Sequence, residues 1–157
     1  MISDLLLPTT VAGVVSFLVA LGTAEYRLRR EQTVETKKQV QSWYAETAQL
    51  ASNVRILWKN EYEEKTNGDG MIQYDEIKRQ MKLRGRQING HIGESKSVEV
   101  DQDVVDELEE LGRLCSSLSD VLTRMGTNED FRERGREIID QAEKVEELSL
   151  AELSEEP

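Results

Sequence analysis

The chain has 157 residues, 32% of them charged, 5% aromatic, and a net charge of −11 at pH 7. A composition rich in Glu, Leu, Arg and Val with only two prolines suits long helices. A single cysteine excludes an intramolecular disulfide, and the acidic balance disfavours nucleic acid as a partner.

Leu5 to Ala24 reads LLLPTTVAGVVSFLVALGTA, twenty residues without a charge. As a helix this covers a bilayer core of about 30 Å. A soluble-core helix would carry a polar face, and here only Thr9, Thr10, Ser16 and Thr23 are polar. A cleaved signal peptide needs a basic N-terminal region, which MISD lacks. Gly22-Thr23-Ala24 does resemble a small-residue cleavage site, so an exported helical protein is the alternative to a permanent anchor. Arg27, Arg29, Arg30, Lys37 and Lys38 follow the segment and no cation precedes it. The excess of cations on one side places residues 1–4 outside and the rest in the cytoplasm. Ala12, Ser16 and Ala20, continued by Ala24, recur every four residues and form a small face through which two such helices can pack in lipid.

Residues 25–40 read as a juxtamembrane stalk, helical but almost without an apolar face. From Val40 a face emerges at alternating steps of four and three through Tyr44, Thr47, Ala51, Val54 and Trp58, widened by Trp43, Leu50 and Leu57. That spacing predicts an amphipathic helix ending near Lys65.

The next ten residues, NGDGMIQYDE, resemble the second half of an EF-hand calcium loop. The resemblance implies Asn67 and Asp69 as side-chain ligands, Gly70 as the sharp turn, Met71 as a carbonyl ligand, Ile72 as the apolar plug and Glu76 as the bidentate ligand. Lys65 stands where the family has its first carboxylate, Glu61 and Glu64 stand where the entering helix has aromatics, and no second loop pairs with this one. Asn-Gly and Asp-Gly are also ordinary helix–helix turn chemistry. The reading adopted is therefore a turn, with a calcium-responsive membrane sensor as the alternative.

A second amphipathic helix is expected over about 73–87, with Ile77, Met81 and Ile88 on its apolar edge and Lys78, Arg79, Lys82, Arg84 and Arg86 making it basic. The basic run has no interleaved aromatics. It reads as a solvated face, or as the complement of residues 99–157, which hold six basic against nineteen acidic side chains, with contact to anionic lipid or nucleic acid as the alternative. Residues 89–100, with two glycines and two serines, read as a loop. His91 within it, the chain's single histidine, is expected to be exposed, and with no second His or further Cys a zinc site has little support.

A third helix follows, capped by Asp101. Val104, Leu108, Leu111, Cys115, Leu118, Leu122 and Met125 form an unbroken seam of alternating steps of four and three, as in knobs-into-holes packing. Gly126 stops it, Thr127 caps the next helix with Asp130 in an approximate capping box, and Phe131, Gly135, Ile138, Ala142 and Val145 continue the pattern. The two helices form an antiparallel hairpin. The end, from Leu148, is expected to fray. Adjacent acidic residues such as Glu109/Glu110 and Glu146/Glu147 do not face each other on a helix, and no phosphate-loop, nucleophile-elbow or metalloprotease motif is present.

The resulting expectation is an all-α, single-pass membrane protein. Residues 1–4 form a short external segment, 5–24 the transmembrane helix, 25–40 the stalk, 41–148 a small cytoplasmic helical bundle or coiled-coil hairpin, and 149–157 an acidic tail. It is expected to be non-enzymatic and without cofactors. Its partners would be the bilayer, an unidentified protein, and copies of itself. Self-association would use the small face or the seam residues Leu108, Leu111, Leu118 and Leu122.

Overall fold

A computed structural model describes residues 7–68, 71–121 and 129–154, with side chains described for Arg27 and from Arg29 onward within those ranges. The described residues are all helical in their regular structure, with no strand among them. The helices are α1 (Leu7–Trp58), the single-turn α2 (Glu64–Asn67), α3 (Tyr74–Ser95), α4 (Gln102–Ser117) and α5 (Glu129–Ser154). The chain divides into two compact units, 1–39 and 40–157.

In the first unit the backbone is α-helical from Leu7. Every side chain from Arg29 to Gln39 is exposed, as expected of a stretch without an apolar stripe. No helix among the described residues is long and apolar enough to cross a membrane. Leu5 and Leu6, and the side chains of 7–24, lie outside the described residues. The reading of 5–24 as a span, and of Ala12, Ser16 and Ala20 as its packing face, falls on that part.

The second unit is a four-helix bundle made from the C-terminal part of α1 with α3, α4 and α5. Trp43 lies against His91 and Tyr62 and Tyr74 both meet Phe131, so α1 and α3 run antiparallel. Glu107 accepts hydrogen bonds from Gln141 Nε2 (2.7 Å) and Lys144 Nζ (2.7 Å), tying antiparallel α4 and α5. Arg55 pairs with Glu146, which sets α5 beside α1. The apolar faces read from the sequence are the faces that meet. Ala51, Val54 and Trp58, then Ile77, Met81 and Ile88, then Val104, Leu108, Leu111, Cys115 and Leu118, and finally Phe131, Ile138, Ala142 and Val145 are all at most 2% exposed. Burial of these side chains, each contributing roughly 1.5–3 kcal/mol for the larger ones, holds the bundle.

Two places show backbones drawn close. A Cβ added at Gly85 would lie 3.0 Å from the Gly112 carbonyl oxygen, and one at Gly112 would lie 2.7 Å from Asn89 Oδ1, so α3 crosses α4 on paired glycines. Trp58 lies against Gly135 of α5, its Cη2 only 1.9 Å from where a Cβ would stand. Between Trp58 and α2 a π-turn, Lys59–Glu63, carries Tyr62 onto Trp58 at 4.3 Å.

Four expectations are corrected. First, α3 continues to Ser95, through the segment read as a loop. Gly90 and Gly93 each weaken a helix by about 1 kcal/mol relative to Ala, but Ile88 and His91 are buried and Ile92 packs against the core, and that packing outweighs the local preference. Second, His91 is 5% exposed rather than solvated. Third, α4 ends at Ser117, followed by a 3-10 turn over Leu118–Asp120 and an extended Val121. The hydroxyls of Ser116, Ser117 and Ser119 donate to the carbonyls of Gly112, Leu114 and Ser116, a local competition with the helical ladder that serine clusters supply. The seam therefore leaves the α-helix after Ser117, with Leu118 in the 3-10 turn. Leu122, Met125, Gly126 and Thr127 lie outside the described residues. Fourth, α5 runs to Ser154 instead of fraying from Leu148. Ser149 is fully buried, its hydroxyl donating to the Val145 carbonyl at 2.8 Å, and Leu148 and Leu153 pack against the core. The Asp101 cap is as expected: Asp103 N–H donates to Asp101 Oδ1 at 2.7 Å.

Candidate functional site

The helices bring together one constellation that sequence spacing does not reveal, at the end of the bundle where α1 meets the last turns of α3. His91 stacks on the Trp43 indole, centroids 5.0 Å apart and planes 13° from parallel. Its Nε2 lies 2.9 Å from Thr47 Oγ1 and 3.3 Å from the Trp43 carbonyl oxygen. Thr47 is fully buried, and its hydroxyl donates to the same carbonyl at 2.9 Å. The Trp43 indole N–H points to the His91 carbonyl oxygen at 3.4 Å. On the outer side of the ring, Nδ1 lies 3.3 Å from Glu94 Oε2 and 3.9 Å from Glu46 Oε2. The imidazole is thus wedged between a buried polar pair and two solvent-facing carboxylates. Next to it Tyr44 meets Trp43 edge-on at 5.3 Å and accepts the Asp101 N–H at 2.8 Å, joining the start of α4 to the same end. Burial pushes the Tyr44 phenol up from its ordinary value.

The residues implied by the calcium-loop resemblance are arranged differently. Asn67 is the exposed last residue of α2, and Asp69 and Gly70 lie outside the described residues. Glu76 is in the first turn of α3, where Arg79 and Gln80 hold its oxygens at 2.6–2.9 Å. Hydrogen bonds from Arg79 and then Gln80 bring its carboxyl down to about 2. A calcium ion would have to displace both partners. Among the basic residues of α3, Arg79 is committed to Glu76, and Arg84 donates to Gln87 at 2.9 Å.

Leu108, Leu111 and Leu118 are fully buried within one chain. The seam is taken up by the bundle's own helices, so oligomerisation through it would require opening the core. Cys115 lies in the same seam, and burial pushes its thiol up to about 12, far from the thiolate that nucleophilic chemistry needs. Glu107, bonded to Lys144 and Gln141, and Glu110, bonded to Arg113, are held below the ordinary carboxylate range. Shifts of that sign accompany ion pairing, whereas a general acid needs a raised carboxyl. The chain matches no protein-family model, no curated protein and no solved structure.

Proposed function

We propose that the chain is a non-enzymatic, single-pass membrane protein that holds a four-helix bundle on the cytoplasmic face as a tether or assembly module. The observation that carries this reading is the uncharged Leu5–Ala24 stretch followed at once by Arg27, Arg29 and Arg30. Its length suits a bilayer span and its cations favour a cytoplasmic bundle. The arrangement of the second unit supports a binding rather than a chemical role. Its apolar faces are used internally, and its hydrogen-bonded carboxylates tie one helix to another, as Glu107 does, or brace a single helix, as Glu76 and Glu110 do. Recognition would then use the outer surface of the bundle, whose acidic C-terminal portion suits a basic protein partner. Lateral pairing would use Ala12, Ser16 and Ala20.

Extraction of cell membranes with alkaline carbonate, with the mass of the extracted chain measured, tests the anchor. Retention in the pellet with residues 1–24 still attached is the expected result. Release into the supernatant, or a chain shortened at Ala24, would replace the anchor with an exported helical protein.

A further inference from the structure

We propose that His91, Glu94 and Glu46 form a site for one divalent transition-metal ion, zinc fitting best, that ties the end of α3 to α1. The proposal starts from hydrogen-bond bookkeeping around the ring. Thr47 spends its hydroxyl proton on the Trp43 carbonyl (2.9 Å), so toward His91 it offers a lone pair. The Trp43 carbonyl oxygen, 3.3 Å from the same nitrogen, is also an acceptor. With the hydroxyl hydrogen directed there, the ring hydrogen sits on Nε2. In the neutral ring this leaves Nδ1 as a bare lone pair, and among the described residues it meets only the Glu94 and Glu46 carboxylates. In that tautomer three electron-pair donors lie together, an arrangement that a bound cation stabilises.

The spacing fits a metal. The three donor atoms lie within 4.8 Å of one another. Zinc bound by imidazole and carboxylate at about 2.0–2.2 Å in a tetrahedron spaces its ligand atoms roughly 3.4 Å apart. The observed 3.3 Å already matches, and the 3.9 Å contact closes by rotation of Glu46, whose side chain is 61% exposed. The ring itself cannot move as freely, since its side chain is 4% exposed and stacked on Trp43. A fixed imidazole whose other nitrogen donates to a buried carbonyl or hydroxyl is the outer-shell arrangement that orients metal-binding histidines. One nitrogen and two carboxylates, with the solvent side open for water, suit zinc or a neighbouring transition ion. Calcium and magnesium favour all-oxygen sets. His91 and Glu94 lie one turn apart on α3 and Glu46 comes from α1, so the ion would link two helices rather than decorate one. The competing arrangement is a hydrogen on Nδ1 donated to Glu94, either in the other neutral tautomer, with Thr47 donating to Nε2, or in an imidazolium.

The test uses the full chain in mild detergent, without a histidine tag and freed of metal by chelator. Zinc chloride is titrated calorimetrically, cobalt(II) is followed by its visible absorption, and the imidazole nitrogens are observed by NMR, where a lone histidine gives an unambiguous signal. One equivalent of zinc with a low-micromolar dissociation constant is expected, with a shift of the Nδ1 resonance. Glu46→Gln and Glu94→Gln should each weaken binding by about 10-fold or more, and Thr47→Val by about 10-fold. Both glutamates are exposed, so their variants should keep the fold even if His91→Gln does not. Calcium chloride should leave the Nδ1 resonance unmoved. A protonated Nδ1, in the neutral ring or in an imidazolium, that does not respond to zinc would overturn the proposal. So would zinc binding that Glu46→Gln and Glu94→Gln leave unchanged.

Discussion

Replacing Gly135 by alanine tests the packing of α1 on α5 at its tightest point. The new Cβ would stand 1.9 Å from Trp58 Cη2, 2.0 Å from Cζ2 and 2.5 Å from Cζ3. Non-bonded carbons rest at about 3.5–4.0 Å, so the indole would have to retreat by roughly 1.5 Å or more. It has little room. Trp58 is 2% exposed, with Tyr62 at 4.3 Å and Phe131 at 5.5 Å. Overpacking of this kind costs about 1–3 kcal/mol, and the short distances argue for the upper end. Alanine in place of glycine within a helix returns about 1 kcal/mol, which leaves a net loss of about 2 kcal/mol. Chemical denaturation of the full chain, followed by circular dichroism, measures it. The same substitution in a Trp58→Phe background should be neutral or stabilising, because the clashing edge of the indole is gone. Gly90→Ala and Gly93→Ala, with nothing within 4 Å of either Cβ, should each stabilise by about 0.5–1 kcal/mol. Equal stability of Gly135→Ala and the parent, with no coupling to position 58, would refute the described packing.

Other outcomes follow from the same structure. Cys115, fully buried with its thiol raised to about 12, should resist thiol reagents at pH 8 in the folded chain and react once denatured; rapid native labelling would contradict its place in the core. Glu107 has its folded-state pKa lowered by Lys144 and Gln141. Its contribution should be fully present above the ordinary carboxylate range and lost as the pH falls toward the folded value. With the side chain 27% exposed and the pair partly screened by solvent, Glu107→Gln should cost roughly 0.5–1 kcal/mol at neutral pH and flatten the acid limb of a stability-against-pH curve. Replacing Ala12, Ser16 and Ala20 together by isoleucine should abolish lateral association of the anchor in a membrane two-hybrid assay; undiminished association would exclude the small face.

The bundle was legible where one apolar face dictated both element and partner. Tyr44–Trp58, Val104–Leu118 and Phe131–Val145 each repeat at helical spacing, and each buries the residues that the spacing picks out. Sequence pattern and structure part where local chemistry and tertiary packing disagree. Gly90, Gly93 and Ser95 look like loop punctuation, yet His91 and Ile92 have a surface to bury against and keep α3 helical. At the end of α4 the apolar spacing continues to Leu118 while the backbone passes from α-helix into a 3-10 turn, where serine hydroxyls bond the carbonyls of the last turn. The His91 site was illegible for a different reason. Glu46 lies on another helix, and the proton count at Nε2 depends on Thr47 and the Trp43 carbonyl, neither of which spacing can place. The His91–Glu94 separation of one helical turn was the only trace of it in the sequence, visible once that stretch is taken as helix rather than loop.

The proposed arrangement is a bundle held at the cytoplasmic side of a membrane by residues 5–24. A reporter fused after Pro157, with protease added to intact cells and then to permeabilised ones, addresses it most directly. The expected reporter sediments with membranes, survives protease outside intact cells, and is digested once the membrane is opened. A reporter digested from outside intact cells, or one recovered free of membranes, would contradict it.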